Sequence, residues 1–224
     1  MCVKLTRPLV EHCRPRQLAG ILGQPDAVSS LAEYVRSPYP CAFLFYGPTG
    51  TGKTSAAQAV AAEIGVSVDD GEFGGYLEIA SGEQTGESVR QAIRSCYTRP
   101  MIGSGWKVLT VNEADCMTPN ASYVWLDALE NLPPSTTVIF TTNDLEKIPQ
   151  RLRDRCICLE FSGEPSIRPH LQFLAEYVWR THTGRDDCPV IDRFGKIEDK
   201  KGLLSFRRLL QNMERFIRTG RVPA

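Results

Sequence analysis

Alternating runs of apolar and polar positions divide this chain into strand-length and helix-length segments. Five apolar or β-branched runs predict buried strands, at residues 41–46, 76–80, 106–111, 136–143 and 156–161. Segments with apolar residues at helical spacing lie between and after them, at residues 25–35, 55–64, 87–97, 120–132, 167–180 and 203–217. Strands that alternate with helices are typical of a parallel sheet covered on both faces. The pattern therefore predicts an α/β fold with a helical end.

The chain is predicted to form two units joined near residue 162. A composition typical of a linker is found at Ser162, Gly163, Glu164 and Pro165. We therefore predict an α/β domain over residues 1–162 and a small helical domain over residues 163–224. Three stretches lack periodicity: an extended lead-in before Pro25, a glycine-rich loop at 67–75 and a polar segment at 184–202.

One stretch fits the phosphate-binding pattern of glycine, any four residues, glycine, lysine and a hydroxyl residue. Its members are Gly47, Pro48, Thr49, Gly50, Thr51, Gly52, Lys53 and Thr54. A strand-length apolar run precedes it and an alanine-rich helical segment follows it, so backbone N–H groups and a positive helix end would point at a polyphosphate. Lys53 would reach the β and γ phosphates and the Thr54 hydroxyl would bind Mg²⁺. The structural alternative is a glycine-rich turn without a ligand.

Polar residues at the ends of two later strands are candidates for hydrolysis chemistry. Asn112 and Glu113 follow the strand at 106–111, and Glu113 has the chemistry of a general base toward a water that attacks the γ-phosphate. Its structural alternative is a carboxylate that caps the next helix. Asn143 ends the following strand, where its amide would orient the attacking water or would only begin a loop. Asp115 is expected to cap a helix or to pair with an arginine.

Three arginines precede the last predicted strand, at positions 151, 153 and 155. Arginine suits the stabilisation of a charged phosphoryl transition state because its guanidinium group is always charged and donates several hydrogen bonds. The alternative is a solvated surface. Composition alone does not choose among Arg151, Arg153 and Arg155.

The overall composition is that of a soluble globular protein, with 42% hydrophobic and 23% charged residues. No apolar run is long enough to span a bilayer and the start lacks a secretory-signal pattern, so we expect no membrane partner and a cytoplasmic location. The eight cysteines contain no C-x-x-C pair, which favours buried free thiols over a zinc site even for Cys156 and Cys158. Basic and acidic residues balance at 26 each, although residues 168–224 carry 12 basic and 7 acidic residues.

The order of these motifs resembles that of AAA+ ATPases, and within them the clamp-loader motor subunits of DNA replication. The likeness consists of the phosphate loop as Walker A, residues 108–115 as Walker B, residues 141–143 as sensor 1 and the final helices as a lid. Further likeness is found in the second strand at 77–81, in the acidic patterns at 112–115 and 128–130, and at two of three positions of an arginine motif at 154–156. The resemblance is strong over residues 12–161 and weak over the lid.

This resemblance implies a P-loop parallel sheet flanked by helices and followed by a lid, and an ATPase that uses ATP and Mg²⁺. The adenine-side residues would be Arg14, Pro15, Ile21 and Leu22. Asn112 would join Thr54 at the Mg²⁺ through a water molecule. Arg155 would be an arginine finger that reaches the ATP of a neighbouring subunit, and Arg207 would be the lid's sensor 2 arginine, with Arg208 as the alternative.

The resemblance also implies partners. These are other AAA+ subunits in a ring-like oligomer, of one or several kinds, a sliding clamp, and primer-template DNA held through its phosphates. Arg90 and Arg94 are candidate phosphate contacts.

Three departures from the family pattern change these expectations. Asn112 stands where the family has a metal-associated Asp, which removes a negative charge beside Mg²⁺, so nucleotide binding is expected to survive better than turnover. The sequence ends just after the lid, where clamp loaders continue into a helical collar. Residues 67–97 hold only Cys96, so the chain is more similar to the zinc-free small subunits than to the bacterial motor subunits.

Two alternatives to an active clamp-loader motor follow. One is a structural subunit that binds nucleotide and hydrolyses it weakly because of Asn112. The other is a different DNA motor such as the Holliday-junction branch-migration ATPase, which is disfavoured because that family's inserted hairpin and winged-helix end have no counterpart in this sequence.

Overall fold

The computed structural model describes residues 7–220, and its centre is a five-stranded sheet. The strands are β1 (Cys41–Tyr46), β2 (Tyr76–Ile79), β3 (Lys107–Val111), β4 (Thr136–Thr142) and β5 (Ile157–Glu160). Their order across the sheet is β2-β3-β4-β1-β5, and every neighbouring pair is parallel. The carboxyl ends of β3, β4 and β1 therefore lie side by side, which is where a ligand binds in an open α/β sheet.

Eight helices surround the sheet or follow it in the described part of the chain. They are α1 (Leu9–His12), α2 (Pro25–Arg36), α3 (Lys53–Glu63), α4 (Gly86–Cys96), α5 (Pro119–Glu130), α6 (Gln150–Arg153), α7 (Arg168–Thr183) and α8 (Phe206–Thr219). Short 3₁₀ turns are found at Leu18–Gly20, Gly71–Gly74, Ala114–Cys116, Leu145–Lys147, Pro165–Ile167 and Ile191–Phe194.

Alternate residues of the strands enter two hydrophobic cores, one on each face of the sheet. Phe43, Val108 and Ile139 pack under α2 and α3 on one face. Their sequence neighbours Leu44 and Leu109 pack under α4 and α5 on the other. Because successive side chains of a strand point to opposite faces, strands buried on both faces need apolar or β-branched residues almost throughout. All seven residues of β4 are buried, as this arrangement requires.

A third core joins the two ends of the described chain. It contains Leu171 of α7, Leu209 of α8 and Leu9 of α1. The backbone N–H of Leu9 also donates a hydrogen bond of 2.9 Å to the Glu214 carboxylate of α8. The segment before α2 therefore packs against the C-terminal helices, and the domain boundary between residues 162 and 163 stays a prediction.

The predicted α/β fold and the five strands are confirmed, and the differences have local causes. Helix α3 begins at Lys53, directly after the left-handed Gly52. Helix α8 begins only at Phe206 because the Ser205 hydroxyl caps it by accepting from the Arg208 N–H.

The prediction of three irregular stretches was partly wrong. Each contains a short ordered element: α1 and a 3₁₀ turn before Pro25, a 3₁₀ turn at Gly71–Gly74, and another at Ile191–Phe194. Elements of three or four residues are too short to show a periodic pattern, but buried side chains such as Leu9 and Phe194 fix them.

The thiols of β5 also differ from expectation, since Cys158 is exposed rather than buried. In residues 7–220 no group of three or more His, Cys, Asp or Glu side chains is arranged to hold a metal ion. Within the same residues, every helix is too short or too polar to cross a bilayer.

Helix α5 offers a matched test of the second core. Trp125 is fully buried and packs edge-to-face on Phe140 at 4.9 Å between ring centroids, whereas Tyr123 on the same helix is 69% exposed. We expect Trp125→Ala to lower the free energy of unfolding by about 3–5 kcal/mol through lost packing. Tyr123→Ala should change it by less than about 0.5 kcal/mol. Urea unfolding of both variants measures this, and equal losses would contradict the assignment of Trp125 to the core.

Candidate nucleotide-binding site

A cavity of about 350 Å³ lies at the carboxyl ends of β1, β3 and β4. Its floor is the loop that joins β1 to α3. One wall comes from the segment before α2, and residues of α7 and α8 complete the lining. The volume and the mixture of apolar and polar walls are those of a small-molecule site.

The floor loop requires glycine at the positions where the pattern has it. Gly47 has φ +134°, and a Cβ there would lie 2.1 Å from the Phe161 carbonyl oxygen. Gly50 has φ +79°, and a Cβ there would lie 2.1 Å from the Ser205 hydroxyl. Gly52 has φ +105° and ends the loop directly before α3. Glycine alone allows both the backbone turn and these close approaches.

The N-terminus of α3 faces the cavity with its first N–H groups available. Among the described residues, no side chain makes a capping hydrogen bond to this terminus. The first N–H groups of a helix have no partner inside the helix, and the helix dipole is positive at that end. Together they form an anion-binding site of the kind used for phosphates.

Lys53 is the buried cation of the site, with only 7% of its surface exposed. Its ammonium group donates to the carbonyl oxygens of Gly47 at 2.6 Å and Pro48 at 2.7 Å, and to the Asn143 side-chain oxygen at 3.0 Å. Burial, together with the positive charge of Arg207, lowers the pKa of Lys53 to about 8, against the opposing effect of the Asp115 and Glu113 carboxylates. A bound polyanion would reverse this shift.

Asn112 occupies the end of β3 and contacts three other elements. Its side-chain oxygen accepts from the Thr54 hydroxyl at 3.4 Å and from the Thr141 hydroxyl at 3.3 Å. Its side-chain amide donates to the Glu78 carboxylate at 2.6 Å. The amide therefore lies between the P-loop helix and β2, beside the hydroxyl predicted to bind Mg²⁺.

Glu113 is held in an unusual backbone conformation beside Asn112. Its φ of +52° is in the left-handed region, which costs a non-glycine residue about 1 kcal/mol. Three contacts hold it there: the Gln84 amide donates to its carbonyl oxygen, its N–H donates to the Thr141 hydroxyl, and its carboxylate accepts from the Ser81 hydroxyl at 2.5 Å. Its carboxylate makes no capping hydrogen bond to the following turn, so the capping alternative is wrong.

Asp115 differs from its prediction. Its carboxylate accepts from the Thr142 hydroxyl at 2.8 Å and is not paired with an arginine. The Thr142 hydroxyl, at the end of β4, lies within hydrogen-bond distance of Asp115 because β4 lies beside β3.

Oxygen donors around the cavity fit a Mg²⁺ ion. Thr54, Asn112, Glu113 and Glu78 all line it, and they provide hydroxyl, amide and carboxylate oxygens. Mg²⁺ in nucleotide sites keeps several waters and is held by one or two protein oxygens together with phosphates.

The predicted arginines separate into two groups. Arg207 lines the cavity, and its guanidinium donates to the Thr49 hydroxyl at 3.4 Å, whereas Arg208 turns away to the Glu198 carbonyl. Arg155 does not line the cavity; it pairs with Glu130 at 2.5 Å and is 33% exposed. Of these arginines, Arg207 therefore reaches the cavity, and the roles of Arg207 and Arg155 stay predictions.

Most of the remaining predicted residues are found at or beside the cavity, whereas the two candidate DNA contacts are not. Arg14, Pro15, Ile21 and Leu22 all line it on the side of the segment before α2. Gly47 and Pro48 do not line it but hold Lys53 through their carbonyl oxygens. Arg90 and Arg94 lie on α4, away from the cavity, and Arg90 pairs with Glu87 at 3.7 Å.

Several cavity side chains were not singled out from the sequence. They are Val10, Cys13, Glu78, Ser81, Leu174, Phe206 and Leu210. Glu78 and Ser81 had a usable signal, since ligand sites form at the carboxyl ends of parallel strands and both residues lie near that end of β2. The residues of α7 and α8 had no such signal in the sequence, because their position at the cavity depends on how the C-terminal helices pack.

Comparison with known proteins identifies the family. Residues 43–162, more than half of the chain, match the family described as "ATPase family associated with various cellular activities (AAA)". The chain belongs to the AAA family of ATPases. The motif order that resembled AAA+ proteins is thereby confirmed.

The AAA domain is similar to that of replication factor C subunits. A replication factor C small subunit of Halobacterium salinarum is 29% identical over 177 residues, which cover 78% of this chain and 54% of that protein. Replication factor C subunit 5 of Mus musculus is 33% identical over 157 residues, covering 69% and 45%. This chain thus spans about half the length of the curated relatives it matches.

Solved AAA-type structures share the fold at low identity. A DNA polymerase III gamma subunit-related protein of Thermotoga maritima superposes with a TM-score of 0.57 at 14% identity, covering 85% of this chain and 72% of that one. The RuvB Holliday junction branch migration motor of the same organism has a TM-score of 0.62 at 16% identity, covering 90% and 72%. These likenesses show the fold alone.

The lowered pKa of Lys53 predicts proton uptake on nucleotide binding. At pH 8 about half of the free protein carries neutral Lys53, and the triphosphate's charge should raise the pKa and protonate it. We expect uptake of about half a proton per ATP at pH 8 and falling affinity as pH rises toward 10. Calorimetric titration in two buffers of different ionisation enthalpy measures the uptake.

Lys53→Arg is the matched control because a guanidinium group stays protonated throughout this range. The uptake should disappear in that variant. The same uptake in both proteins would show that another group is responsible.

Proposed function

We propose that this chain binds ATP with Mg²⁺ and hydrolyses it as one subunit of a clamp-loader-like assembly in DNA replication. The observation that carries the proposal is the convergence of Lys53, Asn143 and Arg207 on one phosphate-binding loop, in a chain similar to replication factor C subunits. Three separate elements, α3, β4 and α8, supply these groups.

The geometry of the cavity supports the ATP-binding part of the proposal. The triphosphate would lie over the loop and the N-terminus of α3, with Lys53 and Arg207 neutralising its charge. The adenine ring of ATP would lie in the part of the cavity lined by Ile21, Leu174 and Leu210, which offers apolar surface on two sides. Thr54 would bind the Mg²⁺, and Asn112 would hold one of its waters.

Hydrolysis requires a base, a positioned water and charge stabilisation. Glu113 would take the proton of the attacking water, and Asn143 would orient that water through its amide. Arg207 would stabilise the charge that develops on the transferred phosphoryl group, and the metal ion, when bound, supplies further neutralisation of the phosphates. Ser81 holds the Glu113 carboxylate at the cavity and would release it as the water approaches.

A structural subunit that binds nucleotide and turns it over weakly is the second candidate. The neutral Asn112 beside Thr54 favours it, because an amide contributes less negative potential at the metal than a carboxylate. Relatives similar to this chain are replication factor C subunits, so this candidate also belongs to a clamp-loader-like assembly.

Assembly with other AAA+ subunits would complete the site. Arg155 is paired with Glu130 and donates to the Arg151 carbonyl oxygen at 2.9 Å. To reach the ATP of a neighbouring subunit, it would have to give up its ion pair with Glu130, which lies at the surface. Such a pair contributes at most about 1 kcal/mol, which a neighbour's triphosphate would easily outweigh. The proposal also includes contacts with a sliding clamp and with primer-template DNA. These contacts, among them Arg90 and Arg94 with DNA phosphates, are supported by the sequence resemblance to clamp-loader motor subunits.

Glu113→Gln separates the two candidate functions. The substitution keeps the side chain's shape but removes the base, so ATP binding should be unchanged while turnover falls at least about 100-fold. A phosphate-release assay with DNA and partner subunits present measures turnover, and a fluorescent ATP analogue measures binding. Wild-type turnover no greater than that of Glu113→Gln would favour the structural subunit.

A mixing experiment tests the shared site. Arg155→Ala should lower turnover about 1000-fold if the arginine acts as a finger, and Lys53→Ala should abolish nucleotide binding in its own site. Mixed together, the Lys53→Ala subunit can supply Arg155 to an intact neighbouring site, so part of the activity should return. Arg151→Ala is the control and should remain active alone. No recovery at any mixing ratio would count against an arginine acting between subunits.

A further inference from the structure

We propose that Glu78 of β2 supplies the negative charge beside the Mg²⁺ position that Asn112 lacks, and also sets the orientation of the Asn112 amide. The inference rests on the proposed function, since it assumes that the cavity binds nucleotide with Mg²⁺. It concerns a residue that lies within the second-strand likeness at 77–81 but to which the sequence assigned no role in the site.

Strand pairing brings Glu78 to the metal side of the cavity. Glu78 lies opposite Thr110 in the parallel β2–β3 ladder, so Asn112 is its diagonal neighbour on the same face of the sheet. Tyr76, two residues earlier in β2, packs in the core under α3, which identifies this face as the one that carries the P-loop helix. The Glu78 carboxylate therefore projects toward the N-terminus of α3 and lines the cavity.

The hydrogen bond from Asn112 to Glu78 fixes which end of the amide faces the metal position. Only the NH₂ group of Asn112 can donate to a carboxylate, and its nitrogen lies 2.6 Å from the Glu78 oxygen. The oxygen of the amide is then turned to the Thr54 hydroxyl at 3.4 Å. Without Glu78 the amide could rotate and present its NH₂ group, a donor that would repel a cation.

The other acids near the cavity have different partners. Asp115 accepts from Thr142 on the β4 side, and Glu113 accepts from Ser81 and is the proposed base. Glu78 alone among these carboxylates is bonded to the residue that contacts Thr54. A carboxylate hydrogen-bonded to a group beside a metal commonly changes metal affinity by about 10- to 100-fold.

Glu78→Gln tests the inference through metal coupling in nucleotide binding. The probe is a fluorescent non-hydrolysable ATP analogue, titrated once with saturating Mg²⁺ and once with EDTA. We expect the ratio of the two affinities to fall about tenfold, because the charge attracts the metal and repels the metal-free triphosphate. A merely structural defect would weaken both affinities equally and leave the ratio unchanged.

Two further variants complete the design. Glu83→Gln removes an exposed carboxylate from the loop after β2, outside the cavity, and should leave the ratio at the wild-type value. Glu78→Gln with Asn112→Asp reverses the pair, since the glutamine amide can donate to the new carboxylate, and should restore the ratio.

The outcomes distinguish this inference from the proposed function. An unchanged ratio in Glu78→Gln, with the wild type binding the analogue in a Mg²⁺-dependent way, would overturn the role of Glu78 alone. A lowered ratio that Asn112→Asp fails to restore would also overturn it. Failure of the wild type to bind the analogue with Mg²⁺ would instead overturn the proposed function.

Discussion

A single buried ammonium group determines how the nucleotide site of this protein is built. Burying a cation is costly unless acceptors surround it. Lys53 meets this requirement with two carbonyl oxygens of its own loop and one side-chain oxygen from the end of β4. The loop must therefore turn its carbonyls inward, which demands glycine at Gly47, and β4 must lie beside β1, which the sheet order provides. The same constraint leaves the N-terminus of α3 open toward the cavity, where the backbone N–H groups face a ligand.

The order of strands in the sheet brings polar and charged residues that are distant in sequence together around this cation. Glu78, Asn112 and Thr141 come from three consecutive strands of the sheet, and Arg207 enters from the C-terminal helices. A neutral residue at the end of β3 looks like a loss of function when the sequence is read alone. Beside β2 it becomes one half of a hydrogen-bonded pair whose other half is charged. The metal side of the site therefore depends on two strands together.

The elements and the P-loop were predictable because their signals are local. Strands buried on both faces, such as β4, need an unbroken run of apolar and β-branched residues, and the phosphate loop carries its constraint in consecutive glycines. The position of Glu78 near the carboxyl end of β2 could have indicated a cavity residue, but its partner Asn112 could not be predicted, because a four-residue strand does not reveal which strand lies beside it. The four-residue helix α1 was missed because only the distant third core fixes it. Hydrogen-bond partners of Asp115 and Arg155 likewise depend on tertiary packing, which no local pattern encodes.

The packing of α1 on α8 has a consequence for when the site can form. Leu9 and Glu214 are 205 positions apart, yet their hydrogen bond and the core around them join the wall of the cavity to its closing helices. During synthesis the segment before α2 leaves the ribosome long before α8, the helix against which α1 packs. Contacts of such sequence separation form late because a long loop must close first. The complete cavity therefore requires the C-terminal helices, and it can form only after α8 has emerged.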